Sequence, residues 1–370
     1  MARERLEKLR LYLANSNIDV FFTTNLPDVR WLTGWRGVFD ESPDHLAFIT
    51  QDDAYIHTDS RYANAFETAA KANNSEWVVD GRKMSHVDFI SEKLAVCGSA
   101  RVGIDTGSMS LSVFIALSKT LKELDGAFEI VYTDGEIKKL RAVKDASEIA
   151  ALRKAQELTD AGFAYMCEFM RPGLKEFEVA LELEHYMRSQ GSDGVSFDTI
   201  AATGANSANP HAVPGETIIQ KGDFLVLDFG AKWDGYHADM TRTVCFGTPS
   251  DTQREIYEVV KQAHEAAATS IAPGKTEGEI YAVAGDIIAG AGYGDYFGHG
   301  LGHGVGLEIH EYPNLKPTCT DVLQAGSLVT VEPGIYLTGI AGCRLEDFGL
   351  VNEETGFEPF TRATHELICL

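Results

Sequence analysis

The chain has 370 residues, of which 44% are hydrophobic and 10% aromatic, so it is long enough for two or three domains and too apolar to be disordered. A formal net charge of -23 opposes binding to the phosphates of nucleic acids. No apolar run approaches the ~18 residues of a membrane span, and the first residues mix acidic and basic side chains where a signal peptide is apolar. Six cysteines without a C-x-x-C pair favour reduced thiols. We therefore expect a soluble cytoplasmic protein that binds neither nucleic acid nor membrane.

The first third of the chain alternates helical and extended segments. Leu6, Leu9 and Leu13 have helical spacing, and residues 61–72 and 112–124 also predict helices. Six apolar runs predict strands: DVFFTT, HLAFIT, DAYIHTD, EWVVD, RVGIDT and FEIVYTD. This alternation predicts an α/β layer domain, and it contains no cluster of metal-ligand residues.

A charged segment, DGEIKKLRAVKDASE, follows the last predicted strand and is interpreted as a linker. Beyond it, Phe163, Met166 and Met170 repeat at spacings of three and four, which predicts a long helix that ends near RPG. The two predicted domains are therefore residues 1–134 and residues 135–370.

The second part of the chain contains two similar halves. RPGLKEFEVA aligns with APGKTEGEIYA, 101 positions later. KGDFLVLDFG aligns with AGSLVTVEPG, which pairs Asp228 with Glu332, and Asp239 has a counterpart in Glu346. Such a repeat indicates a duplicated structural unit. Each half then contributes one carboxylate at the end of an apolar strand and one from a strand that follows.

These four carboxylates would converge on one point if the halves face each other across a pseudo-two-fold axis. In the sequence, no basic residue is placed to neutralise Asp228 or Asp239. Unpaired carboxylates in an apolar setting are costly, because each ion loses hydration and repels the others. The pattern therefore predicts a compensating metal cation.

A glycine-rich run, FGHGLGHGVGLEIHEYP, carries His299, His303 and His310 ahead of the carboxylates of the second half. The run lacks the G-K-[ST] ending of a phosphate loop and the G-x-G-x-x-G context of a dinucleotide fold. The absence of H-E-x-x-H and G-x-S-x-G disfavours a zincin and a serine nucleophile. Imidazole beside carboxylates predicts a mixed nitrogen and oxygen shell, which suits Mn²⁺ and leaves Co²⁺, Fe²⁺ and Zn²⁺ open.

Five candidate ligands exceed what a single ion uses when one position must stay open for substrate. Two ions ~3.5 to 4 Å apart are therefore expected. Water shared by them would become a hydroxide nucleophile for a carbonyl carbon, while nearby histidines stabilise the intermediate and the departing amine. The residues thus predict a hydrolase.

Several motifs together resemble one metallopeptidase family, which contains proline dipeptidase, aminopeptidase P, methionine aminopeptidase and creatinase. The motifs are LDFGAKWDGYHADMTRT, GHGLGHGVGLEIHE, TVEPGIY and GCRLED, in that order. NPHAVPG, NLPDVRWLTGWRG and HTDSRYANA are similar to the Xaa-Pro peptidase branch of the family. The resemblance implies an α/β (α+β) chain, with an amino-terminal domain of the creatinase/prolidase type and a carboxy-terminal pita-bread domain that contains an internal pseudo-two-fold repeat.

The resemblance also implies a set of metal ligands. Five residues would hold two metal ions: Asp228, Asp239, His303, Glu332 and Glu346. Within this set, Asp239 and Glu346 would bridge the ions, and Glu332 would also shuttle a proton.

Other residues near the predicted centre receive catalytic and binding roles from the same resemblance. His211 and His310 would contact the substrate or the intermediate, and Arg344 would organise the site or bind a carboxylate. His299 would line the substrate pocket. His237, out of register with the neighbouring ligand, is interpreted as a strand residue that faces away.

We therefore predict a dinuclear metallopeptidase that hydrolyses the Xaa-Pro bond in dipeptides or at peptide amino termini, and that acts as a homodimer. A dedicated pocket is physically sensible because the proline nitrogen has no N–H and fixes φ. A broader or methionine-type aminopeptidase is the alternative, since the metal centre itself does not select proline. A metal-free creatinase-like hydrolase and a non-catalytic binding module are disfavoured because the full ligand set is present.

Overall fold

The structure is a computed structural model, and it describes residues 2–40 and 44–370. The chain forms two compact units, of which the first ends at Arg141 and the second begins at Ala142. The sequence analysis placed the domain boundary after residue 134, and that boundary remains a prediction. Within the described ranges, no helix is both long and apolar enough to cross a membrane.

The first unit is built around a six-stranded sheet with the strand order β4-β3-β2-β1-β5-β6. Strand β2 is antiparallel to β1 and β3, and the other neighbouring pairs are parallel. Each of the six predicted strands and the three predicted helices is present. The elements are α1 Ala2–Asn15, β1 Val20–Thr23, α2 Leu26–Thr33, β2 His45–Thr50, β3 Ala54–Thr58, α3 Ser60–Ala72, β4 Val78–Asp80, α4 His86–Cys97, β5 Ser99–Ile104, α5 Leu111–Glu123, β6 Ala127–Tyr132 and α6 Glu136–Ala142.

The charged segment interpreted as a linker contains the boundary between the two units, but most of its first half forms helix α6, which the sequence did not predict. Ile137 and Arg141, four residues apart, are buried, whereas Lys139 between them is exposed. Arg141 Nη1 also donates to Asp28 Oδ1 at 2.8 Å. The charges concealed an amphipathic helix whose buried face includes an arginine that has a buried partner.

The second unit combines small sheets, antiparallel except for the parallel pair β12 and β20, with two pairs of helices. Its elements are α7 Ala146–Phe169, α8 Glu176–Ser189, β7 Gly194–Val195, β8 Ile200–Thr203, β9 Phe224–Phe229, β10 Ala231–Trp233, β11 Tyr236–His237, β12 Met240–Cys245, α9 Asp251–Ser270, α10 Glu277–Gly290, β13 Gly302–Gly304, β14 Glu311–Leu315, β15 Leu328–Val331, β16 Gly334–Leu337, β17 Ala341–Arg344, β18 Asp347–Asn352, β19 Gly356–Pro359 and β20 Ile368–Cys369. Short 3₁₀ turns occupy Thr106–Ser108 in the first unit and Gly204–Ala208 and Gly294–Tyr296 in the second. The predicted long helix corresponds to α7.

The predicted repeat is visible in the backbone of this unit. Helices α8 and α10 begin at Glu176 and Glu277, at equivalent positions of the aligned segments. The turn before each helix contains a glycine in the left-handed region, Gly173 with φ 98° and Gly274 with φ 88°. Glycine adopts this conformation without the steric cost of a Cβ atom. The same turn therefore leads into the second helix of both halves.

Each half buries its own apolar core, and the strands that carry the carboxylates meet where the halves join. Leu183 and Leu227 belong to the core of the first half, and Ile280 and Val329 to that of the second. Strands β9 and β12 are antiparallel, as are β15 and β18. A backbone hydrogen bond from Glu346 N to Thr241 O, at 3.0 Å, connects the halves at this point. The fold thereby brings together acids that are far apart in the sequence.

Candidate metal centre

The five predicted ligands line one cavity of about 580 Å³ in the second unit. Ligand atoms of Asp239, His303 and Glu346 all lie within 4.8 Å of one another. His303 Nε2 is 3.5 Å from Asp239 Oδ2 and 3.4 Å from Glu332 Oε1. The fifth residue, Asp228, lies on β9 and is buried at the same cavity. The fold thus assembles the set that the sequence pattern selected.

His303 presents one ring nitrogen to the carboxylates. It lies on β13, where its backbone N donates to Thr330 Oγ1 at 3.0 Å. Its Nδ1 is 3.0 Å from Gly304 O, so Nδ1 carries the hydrogen and Nε2 keeps its lone pair. Burial lowers the pKa of His303 to about 4, which keeps the ring neutral. A neutral imidazole with a fixed tautomer is the form that ligates metals.

The carboxylates are crowded and poorly hydrated. Burial raises the pKa of Asp239 well above its ordinary value, and repulsion from Glu346 adds to the effect. Burial likewise raises the pKa of Glu332 to about 8 and that of Glu346 well above its usual range. The charged forms of these acids are therefore costly unless a cation compensates for them.

Arg344 corrects the expectation that no basic residue neutralises Asp228. Its Nη2 donates to Asp228 Oδ2 at 2.5 Å, although the two residues are 116 positions apart in the sequence. The other oxygen, Asp228 Oδ1, is buried and has no hydrogen-bond partner in the described part of the chain. Asp228 Oδ2 is therefore paired with the arginine, whereas the unpaired Oδ1 indicates that a second positive partner binds this carboxylate.

Tyr336 belongs to the site and was missed by sequence reasoning. Arg344 Nη1 donates to Tyr336 Oη at 2.7 Å, and this hydroxyl lies 2.9 Å from His299 Nε2. His299 Nδ1 is 2.7 Å from Gly300 O and must donate there, so Nε2 accepts from the tyrosine. Burial raises the pKa of Tyr336 to about 12 and lowers that of His299 to about 4. His299 lines the cavity as predicted, but its Nε2 is already engaged.

Two threonines that orient carboxylates were also missed. Thr241 Oγ1 donates to Glu346 Oε2 at 2.7 Å, and Thr330 Oγ1 donates to Glu332 Oε1 at 3.3 Å. Thr241 is two positions after Asp239, and Thr330 is two positions before Glu332. Alternation along an extended chain places residues two apart on the same face. This spacing was the signal that would have identified both threonines.

The remaining predicted residues surround the cavity. His211 is exposed in the loop after β8 and lines the cavity together with His310. The ring of His310 lies 4.4 Å from that of His303, measured between centroids. His237 Nδ1 lies 3.0 Å from Ser196 O, in a hydrogen bond to the backbone, and His237 does not line the cavity. The structure therefore separates this histidine from the other four.

The donor set fits a divalent cation. It offers carboxylate oxygens, one of them an orphaned buried atom of Asp228, and a neutral imidazole nitrogen on His303. Oxygen and imidazole donors of this kind bind divalent first-row metals without selecting one of them. The side chains therefore fit a centre for divalent metal ions.

Comparison with known proteins identifies the family. The chain matches the Creatinase/Prolidase N-terminal domain over residues 5–143 and Metallopeptidase family M24 over residues 150–353. The chain belongs to metallopeptidase family M24. Membership confirms the resemblance drawn from the motifs. It also confirms the predicted fold class, an amino-terminal creatinase-type domain followed by a pita-bread domain.

Relatives within family M24 cover the whole chain. It is 36% identical to the Xaa-Pro dipeptidase of Pyrococcus furiosus over 99% of this chain and 100% of that protein. The structure of an Xaa-Pro dipeptidase from Bacillus anthracis superposes with a TM-score of 0.91 at 38% identity, covering 100% of both chains. An X-Pro aminopeptidase from Thermotoga maritima gives a TM-score of 0.86 at 32% identity, covering 99% of this chain and 100% of that one. The Xaa-Pro dipeptidase from Bacillus anthracis and the X-Pro aminopeptidase from Thermotoga maritima therefore both have folds similar to that of this chain.

Proposed function

We propose that this protein is a metal-dependent peptidase that hydrolyses the Xaa-Pro bond of dipeptides or of peptide amino termini. The observation that carries the proposal is the convergence of four carboxylates and a neutral histidine on one cavity. Full-length similarity to Xaa-Pro dipeptidases supports the choice of substrate.

In this proposal, Asp228, Asp239, His303, Glu332 and Glu346 would hold two divalent ions, with Asp239 and Glu346 as the expected bridging ligands. Mn²⁺ is our first choice, and Co²⁺, Zn²⁺ and Fe²⁺ are the alternatives. When bound, such ions acidify water at neutral pH and polarise the scissile carbonyl. The side chains of the protein then have to hold the ligands, position the substrate and transfer protons.

The residues around the ligands fix their orientation. Arg344 donates to one oxygen of Asp228, and Thr241 donates to one oxygen of Glu346, which restricts the orientation of both carboxylates. Glu332 lines the cavity beside His303, and we assign it the role of taking a proton from water and passing it to the departing nitrogen. Fixed donors and acceptors of this kind lower the reorganisation that accompanies the reaction.

His211 and His310 both line the cavity outside the predicted ligand set. In this proposal, an imidazole N–H from either ring would donate to a substrate carbonyl oxygen as negative charge develops there. The proline nitrogen leaves without an N–H of its own and must be protonated, which requires a nearby acid. We assign this proton to the Glu332 carboxyl group.

The deciding experiment strips the purified protein with a chelator and restores Mn²⁺, Co²⁺ or Zn²⁺ separately. Product release is then followed from Ala-Pro, Ala-Pro-Ala, Met-Ala-Ala and creatine. Metal-dependent cleavage of the proline peptides alone is the expected result, and the ratio of dipeptide to tripeptide cleavage distinguishes a dipeptidase from an aminopeptidase. Cleavage of Met-Ala-Ala moves the protein to the broader aminopeptidase alternative. Cleavage of creatine alone, or no cleavage with any metal, rejects the peptidase assignment.

A homodimer and a cytoplasmic location remain part of the proposal. The homodimer is an expectation from the family resemblance, and the cytoplasmic location is an expectation from the scattered, unpaired cysteines. Sedimentation velocity of the purified chain tests the first, and fractionation of the source cells tests the second.

A further inference from the structure

A second cluster of potential ligands lies outside the candidate metal centre. It consists of His264 on α9, Asp347 on β18 and His365 in the segment before β20, whose ligand atoms lie within 4.8 Å of one another. His365 Nε2 is 2.7 Å from Asp347 Oδ2, and His264 Nε2 is 3.6 Å from the same oxygen. One carboxylate oxygen therefore faces two imidazoles from distant parts of the chain.

His264 is the member that ordinary packing does not explain. Its side chain is only 1% exposed, and neither ring nitrogen has a hydrogen-bond partner among residues 2–40 and 44–370. Buried polar groups are normally paired, because an unpaired one loses its hydration without replacement. Burial lowers the pKa of His264 to about 4, so the ring is neutral and one nitrogen has a free lone pair.

Arg242 supports the carboxylate of the cluster from the other side. Its Nη2 donates to Asp347 Oδ1 at 2.7 Å, which leaves Oδ2 directed at the histidines. The same guanidinium donates to the backbone oxygens of Glu346 at 2.6 Å and Ala363 at 2.7 Å. Arg242 is thus held by several acceptors and orients Asp347. Hydrogen bonds of this kind hold the carboxylate and histidine ligands of protein metal sites in place.

We propose that His264, Asp347 and His365 form a zinc site, separate from the candidate metal centre and independent of the proposed peptidase activity. Two imidazoles and one carboxylate are a donor set that zinc accepts, with water in the fourth position. Tetrahedral ligands ~2.0–2.2 Å from zinc are roughly 3.3–3.6 Å apart, which the spacing of 3.6 Å between His264 and Asp347 matches. His365 has to move outward slightly, and its side chain, 28% exposed, has room to do so and leaves a route for the ion.

Zinc at this site would connect helix α9, strand β18 and the carboxy-terminal segment. The ion would satisfy His264 and would tie together three segments that are distant in the sequence. Because the ion binds the folded chain alone, its binding adds to the stability of the fold. The expected consequence is a zinc-dependent rise in the melting temperature that is separate from any effect on turnover.

Zinc content tests the site directly. The protein is stripped with a chelator, reloaded with excess Zn²⁺, freed of unbound metal by gel filtration and analysed for zinc per chain. His365→Ala should hold about one zinc fewer than the wild type, because a site with two protein ligands binds too weakly to survive filtration. His185→Ala, which removes an exposed histidine from α8, is the matched control and should lose none. Equal zinc in these two variants overturns the proposal.

A variant with an impaired candidate metal centre allows zinc binding at the proposed site to be measured separately. Asp239→Asn impairs the candidate centre, and in that background His365→Ala should still remove about one zinc per chain. At a Zn²⁺ concentration a hundredfold above Kd, the Asp239→Asn protein should melt roughly 5–10 °C higher, and the double variant should not. His264→Gln should give the same loss as His365→Ala. A zinc-induced stabilisation that survives both histidine substitutions contradicts the site, whatever the peptidase assays show.

Discussion

The two halves of the pita-bread domain share a backbone plan and differ in the partners of their carboxylates. In the first half, Asp228 is paired with Arg344, which the other half supplies. In the second half, Glu332 faces His303 of the same half, and Glu346 accepts a hydrogen bond from Thr241 of the opposite half. The duplicated scaffold therefore places acids symmetrically, while the groups that orient them are not duplicated.

This difference shows that neither half is able to form the site alone. Among the contacts that cross the junction, those from Arg344 to Asp228 and from Thr241 to Glu346 reach the carboxylates, and both are short and buried. The junction between the halves thus determines which oxygens of these two carboxylates are already hydrogen-bonded. Substitutions of individual residues in each half test which contacts are needed for turnover and which contribute to the free energy of unfolding.

Asp239→Asn should have the largest effect on activity. It removes a carboxylate that faces both His303 and the other acids, and we expect turnover to fall more than about 100-fold together with metal content. Kinetics and metal analysis of the same preparation measure both quantities. Asp286→Asn, an exposed substitution on α10, is the control and should behave as wild type. Near-normal turnover of Asp239→Asn is incompatible with a bridging role.

His310→Ala should keep the metals and lose rate. The ring lies beside His303 at the cavity but outside the predicted ligand set, so we expect a drop in kcat of roughly 10²-fold or more from the loss of a proton or hydrogen-bond donor. Single-turnover kinetics and metal content separate rate from binding. If metal content falls in parallel with the rate, His310 is a ligand and the assignment is wrong.

Tyr336→Phe should give a smaller loss. It removes the acceptor of Arg344 Nη1 and the donor to His299 Nε2, but leaves the pairing of Arg344 with Asp228. A hydrogen bond to a charged group corresponds to roughly a tenfold to hundredfold change in rate if it is made fully in the transition state. The measurement is kcat and KM beside the exposed control Tyr296→Phe. A rate unchanged from that of the control would make Tyr336 a packing residue.

Glu176 and Glu277, the first residues of α8 and α10, allow the contribution of equivalent positions to the free energy of unfolding to be compared between the halves. Glu176 accepts from Thr203 N at 2.8 Å and from Gly215 N at 3.2 Å, whereas Glu277 accepts from Asn314 N at 3.2 Å. Glu176→Gln should cost roughly 1.5–3 kcal/mol in the free energy of unfolding, because charged hydrogen bonds are lost. Glu277→Gln should cost less than about 1 kcal/mol at pH 7. Urea unfolding of both variants tests the order, and the reverse order contradicts it.

The pH dependence of Glu277 gives the smallest effect. Burial raises the pKa of this carboxyl above its ordinary value, so the folded state binds its proton more tightly than the unfolded state. Wild type should therefore gain stability relative to Glu277→Gln as the pH falls from neutral through the raised pKa, and lose it again as the pH rises. Parallel unfolding curves at pH 7 and pH 5 measure the change. If the stability of wild type relative to Glu277→Gln increased with rising pH, the prediction would be wrong.

Much of the site was predictable because its signals are local or repeated. The duplicated motifs selected Asp228, Asp239, Glu332 and Glu346 together, and the glycine-rich run located His303 beside them. Tyr336 and the pairing of Arg344 with Asp228 were not predictable in this way. Their partners lie far away in the chain, and no pattern in the neighbouring residues reports which side chain a buried donor will reach.

The sequence by itself determined the periodic elements, the repeat and the family, because hydrophobic spacing and motif order act over short stretches of chain. It also misled at α6, where dense charge concealed the buried side chains of Ile137 and Arg141. Tertiary structure alone decided that Arg344 neutralises Asp228, and that His264, Asp347 and His365 meet. The physical reason is that burial and long-range pairing are properties of the packed chain. Residues that are far apart in the sequence come into contact in an interior with little water.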